Sequence, residues 1–334
     1  MLLCTRKSPV MQHFISCTVK PFKTEIVEKQ NPMMLSKITF SLLLALLVSQ
    51  TSCKKSNTDT TPAIPKTYTK ATVIYKTISG IDPDLLSIDI YHFGQTTATS
   101  PVVIYVHGGA WAIGDKASSL DNKINLFSSL GYMLVSINYR LSPSTASTDP
   151  NRIMYPTHNN DVADAVKWIY DNINIYGGNK LKIALLGHSA GAHLVSLTGT
   201  SNSFLPARSI SLNTIKGVAS IDTEGYDVAF QCNDNNAYYL NAFGNANTNW
   251  NAASPINNLF SGTAYPKFFI AKRGTASRIA VSDAFITKLQ SVGITVSQVT
   301  GSQYDHEGIN NAIGAPGETA ITEPLKAFLV QCFL

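Results

Sequence analysis

Cysteine is scarce in this chain: five cysteines among 334 residues are too few to hold a fold together by disulfide bonds. Metal and nucleotide signatures are missing too, because there is no CxxC, no HExxH and no GxGxxG opening a helix. We therefore expect no metal ion and no cofactor. The 21 glycines and 15 prolines follow no repeat, which excludes a collagen-like fibre.

Charge of one sign is also missing from most of the chain. Residues 1–53 carry six of the 26 Lys and Arg residues and only two of the 21 Asp and Glu residues, so they hold most of the net charge of +5. The rest of the chain is close to neutral, and nothing in it predicts a basic surface for nucleic acid. Hydrophobic residues make up 44% of the chain, which excludes a long disordered polymer.

The longest apolar run near the N-terminus, Ile38–Val48, is too short to span a membrane. As a helix it would be ~16 Å long, about half of a ~30 Å bilayer core. A run of this length behind Lys37 is typical of a secretory signal. Small residues before Cys53, with a polar stretch after it, resemble a bacterial lipoprotein signal, although Gln50 stands where an aliphatic residue is usual.

These features predict the organisation of the chain. We expect an N-terminal extension and lipoprotein-type signal peptide at 1–53, with Cys53 as the lipidation site. Residues 54–67 are rich in Thr and Pro and predict a flexible tether. Residues 68–334 follow as a single domain. The protein is then expected to be exported and lipid-anchored to a bacterial membrane, in the periplasm or at the cell surface.

From Tyr68 onward, short β-rich runs alternate with helical windows. The runs predict strands at 72–78, 85–91, 102–107, 132–139, 182–187, 216–222, 267–273 and 294–300. The windows predict helices at 118–130, 157–174, 190–199, 281–292 and 319–331. Several strands are continuous apolar runs, as strands covered on both faces should be. The alternation predicts an α/β fold with a mostly parallel eight-stranded sheet and helices on both faces.

The segment 226–265, which we call the excursion, is different. It is rich in Asn and aromatic residues and has no clean period. We expect it to lie near the active site and not to form a separate domain, and we expect its aromatic side chains, including Tyr239 and Trp250, to line the substrate cleft. Ordinary packing of a surface loop is the alternative.

The sequence Gly187-His188-Ser189-Ala190-Gly191 matches G-x-S-x-G and lies between a predicted strand and a predicted helix. Such a strand-to-helix turn holds a serine nucleophile above the sheet, and the helix N-terminus favours developing negative charge. Upstream, His107-Gly108-Gly109-Ala110-Trp111 ends another predicted strand. Acyl transfer needs N–H donors for an oxyanion, and we expect the amides of Gly109, Ala110 and Ala190 to provide them, with Gly108 allowing the tight turn.

Four motifs together resemble the α/β-hydrolase superfamily: HGGAW at 107–111, GDK at 114–116, NYRLSP at 138–143 and GHSAGAHL at 187–194. They are most similar to the carboxylesterase, feruloyl-esterase-like and arylformamidase-like branch with an HGGxW oxyanion motif. The resemblance covers about residues 70–334. It implies the α/β-hydrolase fold and acyl transfer by a serine, and it says little about substrate.

The order of the triad in this fold is Ser, acid, His, and two histidines follow Ser189. His193 lies on the helix that begins after the nucleophile, so we expect it to be a packed helix residue. His306 lies in the loop after the last predicted strand, where the family has its catalytic base. We expect His107 to support the loop at 107–111 that carries the oxyanion donors, which we call the oxyanion loop.

The triad acid is where this sequence departs from the family pattern. In the loop Gly274–Arg278, Ser277 stands where an Asp is usual. Asp222 ends a predicted strand at the edge of the sheet where catalytic residues gather, and it is our principal candidate. Glu224, Asp283 and a weakened Ser–His dyad without an acid remain open. Asp305 is adjacent to His306 and poorly able to reach its ring.

The sequence therefore predicts a serine hydrolase that cleaves small-molecule or glycan-linked carboxylic esters through an acyl-enzyme. An aryl amide or formamide hydrolase is the alternative within enzymes. A catalytically weakened binding protein on the same fold is the alternative outside them, and Ser277 is its only support. Cys232 and Cys332 form either a disulfide or two separate buried thiols.

Overall fold

The computed structural model describes residues 68–93 and 97–334. The predicted signal peptide, Cys53 and the whole predicted tether lie outside these residues. The strands are β1 (Thr69–Ile74), β2 (Ser87–His92), β3 (Ser100–Val106), β4 (Met133–Ile137), β5 (Gly178–His188), β6 (Ile215–Ile221), β7 (Lys267–Lys272) and β8 (Val296–Thr300). All eight predicted strands are thus confirmed, with ends displaced by a few residues.

The eight strands form one sheet in the order β1-β2-β4-β3-β5-β6-β7-β8. Strands β3 to β8 are parallel to one another, whereas β2 pairs antiparallel with both of its neighbours, β1 and β4. The predicted mostly parallel sheet is confirmed. Strand β4 is buried along its whole length, because a parallel sheet has helices on both faces and each strand needs apolar side chains on both.

The helices are α1 (Asp121–Ser129), α2 (Thr157–Asn172), α3 (Ala190–Thr200), α4 (Val228–Asn233), α5 (Ala237–Phe243), α6 (Asn247–Ala253), α7 (Ala276–Ser291), α8 (His306–Ala312) and α9 (Thr322–Phe333). Single turns of 3₁₀ helix lie at 83–86, 173–176, 206–208, 212–214 and 255–258. Every residue of α3 is buried, so the helix that follows Ser189 lies in the core. Two separate groups of buried apolar residues cover the two faces of the sheet.

The excursion is more regular than the sequence indicates. It contains α4, α5 and α6, each only six or seven residues long. Helices this short show too few turns for a 3.6-residue period, which explains why the sequence has no clean period here. Asp227 and Asn236 cap α4 and α5 by accepting hydrogen bonds from backbone N–H groups of their first turns.

Two remaining questions from the sequence concern membranes and thiols. Across 68–93 and 97–334, no helix combines the length and the apolarity needed to cross a membrane. Cys232 and Cys332 are both buried and free, so the disulfide alternative is wrong. Burial raises the pKa of both thiols to about 12, which keeps them protonated.

Candidate active site

Ser189, His306 and Asp222 form one chain of hydrogen bonds. The Oγ of Ser189 lies 2.8 Å from Nε2 of His306, and Nδ1 of His306 lies 2.7 Å from Oδ2 of Asp222. Because the carboxylate can only accept, Nδ1 carries the ring proton and Nε2 is left to accept from the serine hydroxyl. This is the arrangement of a nucleophile, a base and an orienting acid.

Backbone hydrogen bonds to adjacent strands fix the positions of Ser189 and Asp222. Ser189 follows β5, and its N–H donates to the carbonyl of Ile221 in β6 over 3.0 Å. Asp222 follows β6, and its N–H donates to the carbonyl of Ala271 in β7 over 2.8 Å. Both residues have positive φ, 56° for Ser189 and 50° for Asp222, where L-residues with a side chain are strained.

Close backbone contact explains the glycines of the nucleophile turn. A Cβ on Gly191 would lie 2.1 Å from the carbonyl oxygen of Val106 in β3. A Cβ on Gly187 would lie 2.3 Å from the carbonyl oxygen of Gly191. Neither neighbour is a flexible side chain, so only glycine lets α3 start against the sheet with Ser189 at its tip.

The oxyanion loop lies beside this turn. Gly109 has φ of 106°, and its carbonyl accepts from the N–H groups of Ala112 and Ile113 in a tight turn. Ala110 follows in the left-handed region and lines the same cavity as Ser189 and Ala190. Ala190 is the first residue of α3, where backbone N–H groups have no partner within the helix. A Cβ on Gly108 would lie 3.0 Å from Cβ of Ser189, so the loop packs directly on the nucleophile turn.

Asp222 is held by more than His306. Its carboxylate is buried, with 2% of the side chain exposed, and it pairs with two arginines, one just after β7 and one in the first turn of α7. Nε of Arg273 lies 2.5 Å from Oδ2, and Nε of Arg278 lies 2.8 Å from Oδ1. Burial alone would raise the pKa of Asp222, but the hydrogen bond from His306 and the charge of Arg278 outweigh it, so the pKa is below its usual value.

The other acidic candidates lie elsewhere. Glu224 pairs with Arg278, and Asp283 pairs with Lys272 at the surface. Asp305 caps α8 by accepting from the N–H of Gly308. Ser277 bonds to Thr275 through its hydroxyl, on the first turn of α7. The structure therefore brings only Asp222 of the candidate acids to the ring of His306.

His193 and His107 are buried, and burial lowers the pKa of each imidazole, which favours the neutral form. His193 is fully buried between the indole N–H of Trp111 and the carbonyl of Ala253, and burial lowers its pKa to about 4, so the expectation of a packed helix residue is confirmed. His107 donates from Nδ1 to the carbonyl of Gly108, as a brace of the oxyanion loop should.

His188 has a role that the sequence analysis missed. Its Nε2–H donates to the carbonyl of His306 over 2.8 Å, and the two rings lie 4.6 Å apart. Burial, and next the nearby charge of His306, lower the pKa of His188 to about 3. It is the residue before the nucleophile, so its position in G-x-S-x-G could have indicated a contact with the base.

A cavity of about 210 Å³ opens above Ser189. The oxyanion loop and the nucleophile turn form one side. Asn236, Tyr238 and Tyr239 of the excursion form another, and Arg273 and Arg278 lie near the acid. Of the two aromatics named from the sequence, Tyr239 lines this cavity, whereas Trp250 packs in the core and donates to the carbonyl of Gly244, so that part of the prediction is wrong.

A second cavity, of about 580 Å³, lies between α4 and α7. Glu224 lines both cavities, and its ion pair with Arg278 stands where they adjoin. The wall of the second cavity includes Phe230, whose side chain is largely exposed.

Comparison with known proteins agrees with this architecture. The probable carboxylic ester hydrolase LipM of Mycobacterium tuberculosis is 40% identical over 101 residues, which is 30% of this chain and 22% of that protein. Esterase LipC of the same organism is 33% identical over 125 residues, 37% of this chain and 29% of that protein. The matched stretch thus spans less than a third of these curated relatives.

Solved structures match over a longer stretch at lower identity. Esterase B from Lactobacillus rhamnosis has a TM-score of 0.63 at 20% identity, over 80% of this chain and 89% of that one. A truncated carbohydrate esterase from gut microbiota has a TM-score of 0.64 at 18% identity, over 81% and 98%. These matches establish the α/β-hydrolase fold. The BD-FAE family model matches residues 88–274, more than half of the chain, and the chain therefore belongs to the BD-FAE family.

Proposed function

We propose that this protein is a serine hydrolase that cleaves carboxylic esters. The observation that carries the proposal is the continuous hydrogen-bonded chain from Ser189 through His306 to the buried Asp222. Relatives named as esterases support the reaction class. Ser277, the only support for a non-catalytic binding protein, loses its weight because Asp222 stands beside His306 instead.

The first half of the reaction forms an acyl-enzyme. Ser189 Oγ attacks the acyl carbon while its proton moves to Nε2 of His306, and the imidazolium is stabilised by the carboxylate of Asp222. The amides of Gly109, Ala110 and Ala190 donate to the oxyanion, on a loop whose tight turn lies at Gly109 and whose close approach to Ser189 is permitted by Gly108. His306 then gives its proton to the leaving alcohol as the ester C–O bond breaks.

The second half releases the acid. A water molecule attacks the acyl carbon and gives a proton to Nε2 of His306, and the oxyanion is held by the same amides. When the tetrahedral intermediate collapses, the bond to Ser189 breaks and His306 returns the proton to Oγ. Asp222 stays ionised throughout, in keeping with its lowered pKa.

Labelling by a fluorophosphonate probe tests the nucleophile. The wild-type protein should label and should hydrolyse p-nitrophenyl acetate, and Ser189→Ala should do neither. Ser203→Ala is a matched control, because Ser203 is exposed and does not line the cavity. Unchanged hydrolysis by Ser189→Ala would refute the proposal.

Matched ester and amide substrates test the reaction class more finely. Acetate esters of substituted phenols should be hydrolysed faster than the corresponding anilides and formanilides, relative to their uncatalysed rates. The opposite order would make the protein an aryl amide or formamide hydrolase. The natural substrate is then a small-molecule or glycan-linked ester.

The location is a separate proposal that the sequence alone supports. Cys53 is lipidated and the protein is anchored to a bacterial membrane, facing the periplasm or the cell exterior. Each acyl chain contributes ~0.8 kcal/mol per buried CH₂, so several chains hold a domain to a bilayer without a spanning helix. Cys53→Ala should release the protein from the membrane fraction or leave its signal uncleaved. Wild-type protein found wholly in the cytoplasm with residues 34–52 attached would refute the proposal.

A further inference from the structure

Arg273 lines the active-site cavity with hydrogen-bond donors that the protein does not use. Its Nε donates to Asp222, and 17% of its side chain is exposed. Across 68–93 and 97–334, neither Nη atom has an acceptor within hydrogen-bond distance. Their N–H groups are therefore available to a molecule in the cavity.

Arg278 is different, although it lines the same cavity. Its Nε and one Nη donate to the side chain and the carbonyl of Asp222, and its other Nη pairs with Glu224. Both carboxylates beside the two arginines are thus bound by Arg278. Arg273 shares one oxygen of Asp222 with His306 and, in the described part of the chain, has no carboxylate of its own.

The chemistry of the triad says which part of an ester reaches Arg273. His306 must return its proton to the leaving oxygen, so the alcohol portion lies on the side of the imidazole. Arg273 touches Asp222, which lies on the far side of that imidazole from Ser189. A group that contacts Arg273 therefore belongs to the alcohol portion, several bonds away from the ester oxygen.

We propose that the esters hydrolysed here carry a carboxylate on their alcohol portion and that the Nη groups of Arg273 bind it. A guanidinium presents parallel N–H donors that match the two oxygens of a carboxylate, and its Nε contact with Asp222 holds the plane in place. The inference rests on the proposed esterase function and makes Arg273 a determinant of substrate specificity.

Two acetate esters of one phenol skeleton, with either a free carboxylate or its methyl ester at the far end of the ring, test this proposal, and the reaction followed is the release of acetate. The anionic one is 4-acetoxybenzoate and the neutral one is methyl 4-acetoxybenzoate. The quantity compared is the ratio of kcat/KM, anionic over neutral, in wild type and variants. The intrinsic reactivity of each ester is the same in every protein, and a weakened triad slows both esters, so these effects cancel when ratios are compared.

In Arg273→Gln the ratio should fall about tenfold or more, the effect of losing a charge-assisted bidentate contact. Arg273→Lys keeps the charge without the fork and should retain part of the preference. Lys272→Gln is the matched control: it removes a positive charge one residue away, at a side chain that pairs with Asp283 and does not line the cavity. Its ratio should equal that of wild type.

An unchanged ratio in Arg273→Gln would overturn the inference while leaving the esterase proposal intact. If wild type hydrolyses neither ester, or if Ser189→Ala still hydrolyses them, the esterase proposal itself is overturned. If Arg273→Gln does not fold, the inference is tested on wild type by inhibiting hydrolysis of the neutral ester with small aromatic molecules that carry or lack a carboxylate. Benzoate should inhibit at least tenfold more strongly than benzamide, and equal inhibition would overturn the inference.

Discussion

Replacing Asp222 by Asn removes one charge from the site and keeps the shape of the side chain. An amide can donate from its nitrogen, so it no longer requires His306 to carry its proton on Nδ1. With the proton on Nε2, the ring cannot accept the proton of Ser189. We expect kcat for p-nitrophenyl acetate to fall about 10⁴-fold, as when the acid of a Ser–His–Asp triad becomes an amide.

The same change should lower stability, because Asp222 is the shared partner of two arginines. Its carboxylate is 2% exposed, and the two guanidinium side chains are 17% and 19% exposed. Removing one partner from a buried ion pair costs about 3–5 kcal/mol. We expect a loss near the lower limit, about 3 kcal/mol, because both arginines still reach the cavity.

Asp283→Asn is the control, since Asp283 also pairs with a basic residue of this region but is half exposed. It should cost less than about 1 kcal/mol and leave kcat unchanged. Urea denaturation measures both losses. Folded Asp222→Asn with more than about a tenth of wild-type kcat would contradict the role of the acid, and equal stability of the two variants would contradict the charge argument.

The lowered pKa of Asp222 adds a dependence on pH. A carboxyl whose pKa is lower in the folded state stabilises the protein above its unfolded pKa, and this contribution is lost as the pH falls through the folded pKa. The free energy of unfolding should therefore decrease in acid more steeply in wild type than in Asp222→Asn. Parallel curves would refute this assignment.

Three further predictions, one of them with a control substitution, test the surroundings of the site. Gly191→Ala should prevent folding or greatly lower Tm in thermal unfolding, because its Cβ would lie 2.1 Å from the carbonyl oxygen of Val106; a normal Tm would refute the close contact. Tyr238→Ala should raise KM for bulky aryl esters at unchanged Tm, since this exposed side chain lines the cavity. As a comparison, replacing the buried Phe243 by Ala should lower the free energy of unfolding by about 3–5 kcal/mol in urea denaturation. An unchanged KM in Tyr238→Ala would show that Tyr238 does not contact the substrate. Burial lowers the pKa of Lys123 to about 7, so between that pH and the usual pKa of 10.5 the unfolded chain binds more protons than the folded protein. The free energy of unfolding should therefore rise with pH across this range in wild type but not in Lys123→Met.

The sheet was predictable because its strands carry their own signal. Central strands such as β4 are buried on both faces, so their sequences are short apolar runs separated by turn residues. The nucleophile turn was predictable for a related reason. Gly187 is required by a local backbone contact with Gly191, so the G-x-S-x-G spacing is visible within one short segment, although Gly191 itself packs against Val106 in β3.

The acid and its partners depend on contacts between distant parts of the chain. Asp222 and His306 are 84 residues apart, and nothing local in either segment says that the ring reaches this carboxylate and not Glu224. Arg273 and Arg278 read as ordinary surface charges around the loop where the family has its acid. Their importance follows only from the parallel pairing of β6 with β7, which brings the ends of both strands together.

The backbone bonds that fix Ser189 and Asp222 have a consequence for dynamics. Their N–H groups donate to carbonyls of the neighbouring strands, so these two amides can exchange with solvent only when the central sheet opens. The short helices of the excursion share the core through their side chains, but in the described part of the chain they form no backbone hydrogen bonds to the strands, so they can open at lower cost. On heating, we expect the cavity wall formed by the excursion to loosen first, so that selectivity among large esters declines while acetate esters are still hydrolysed, until the sheet itself unfolds.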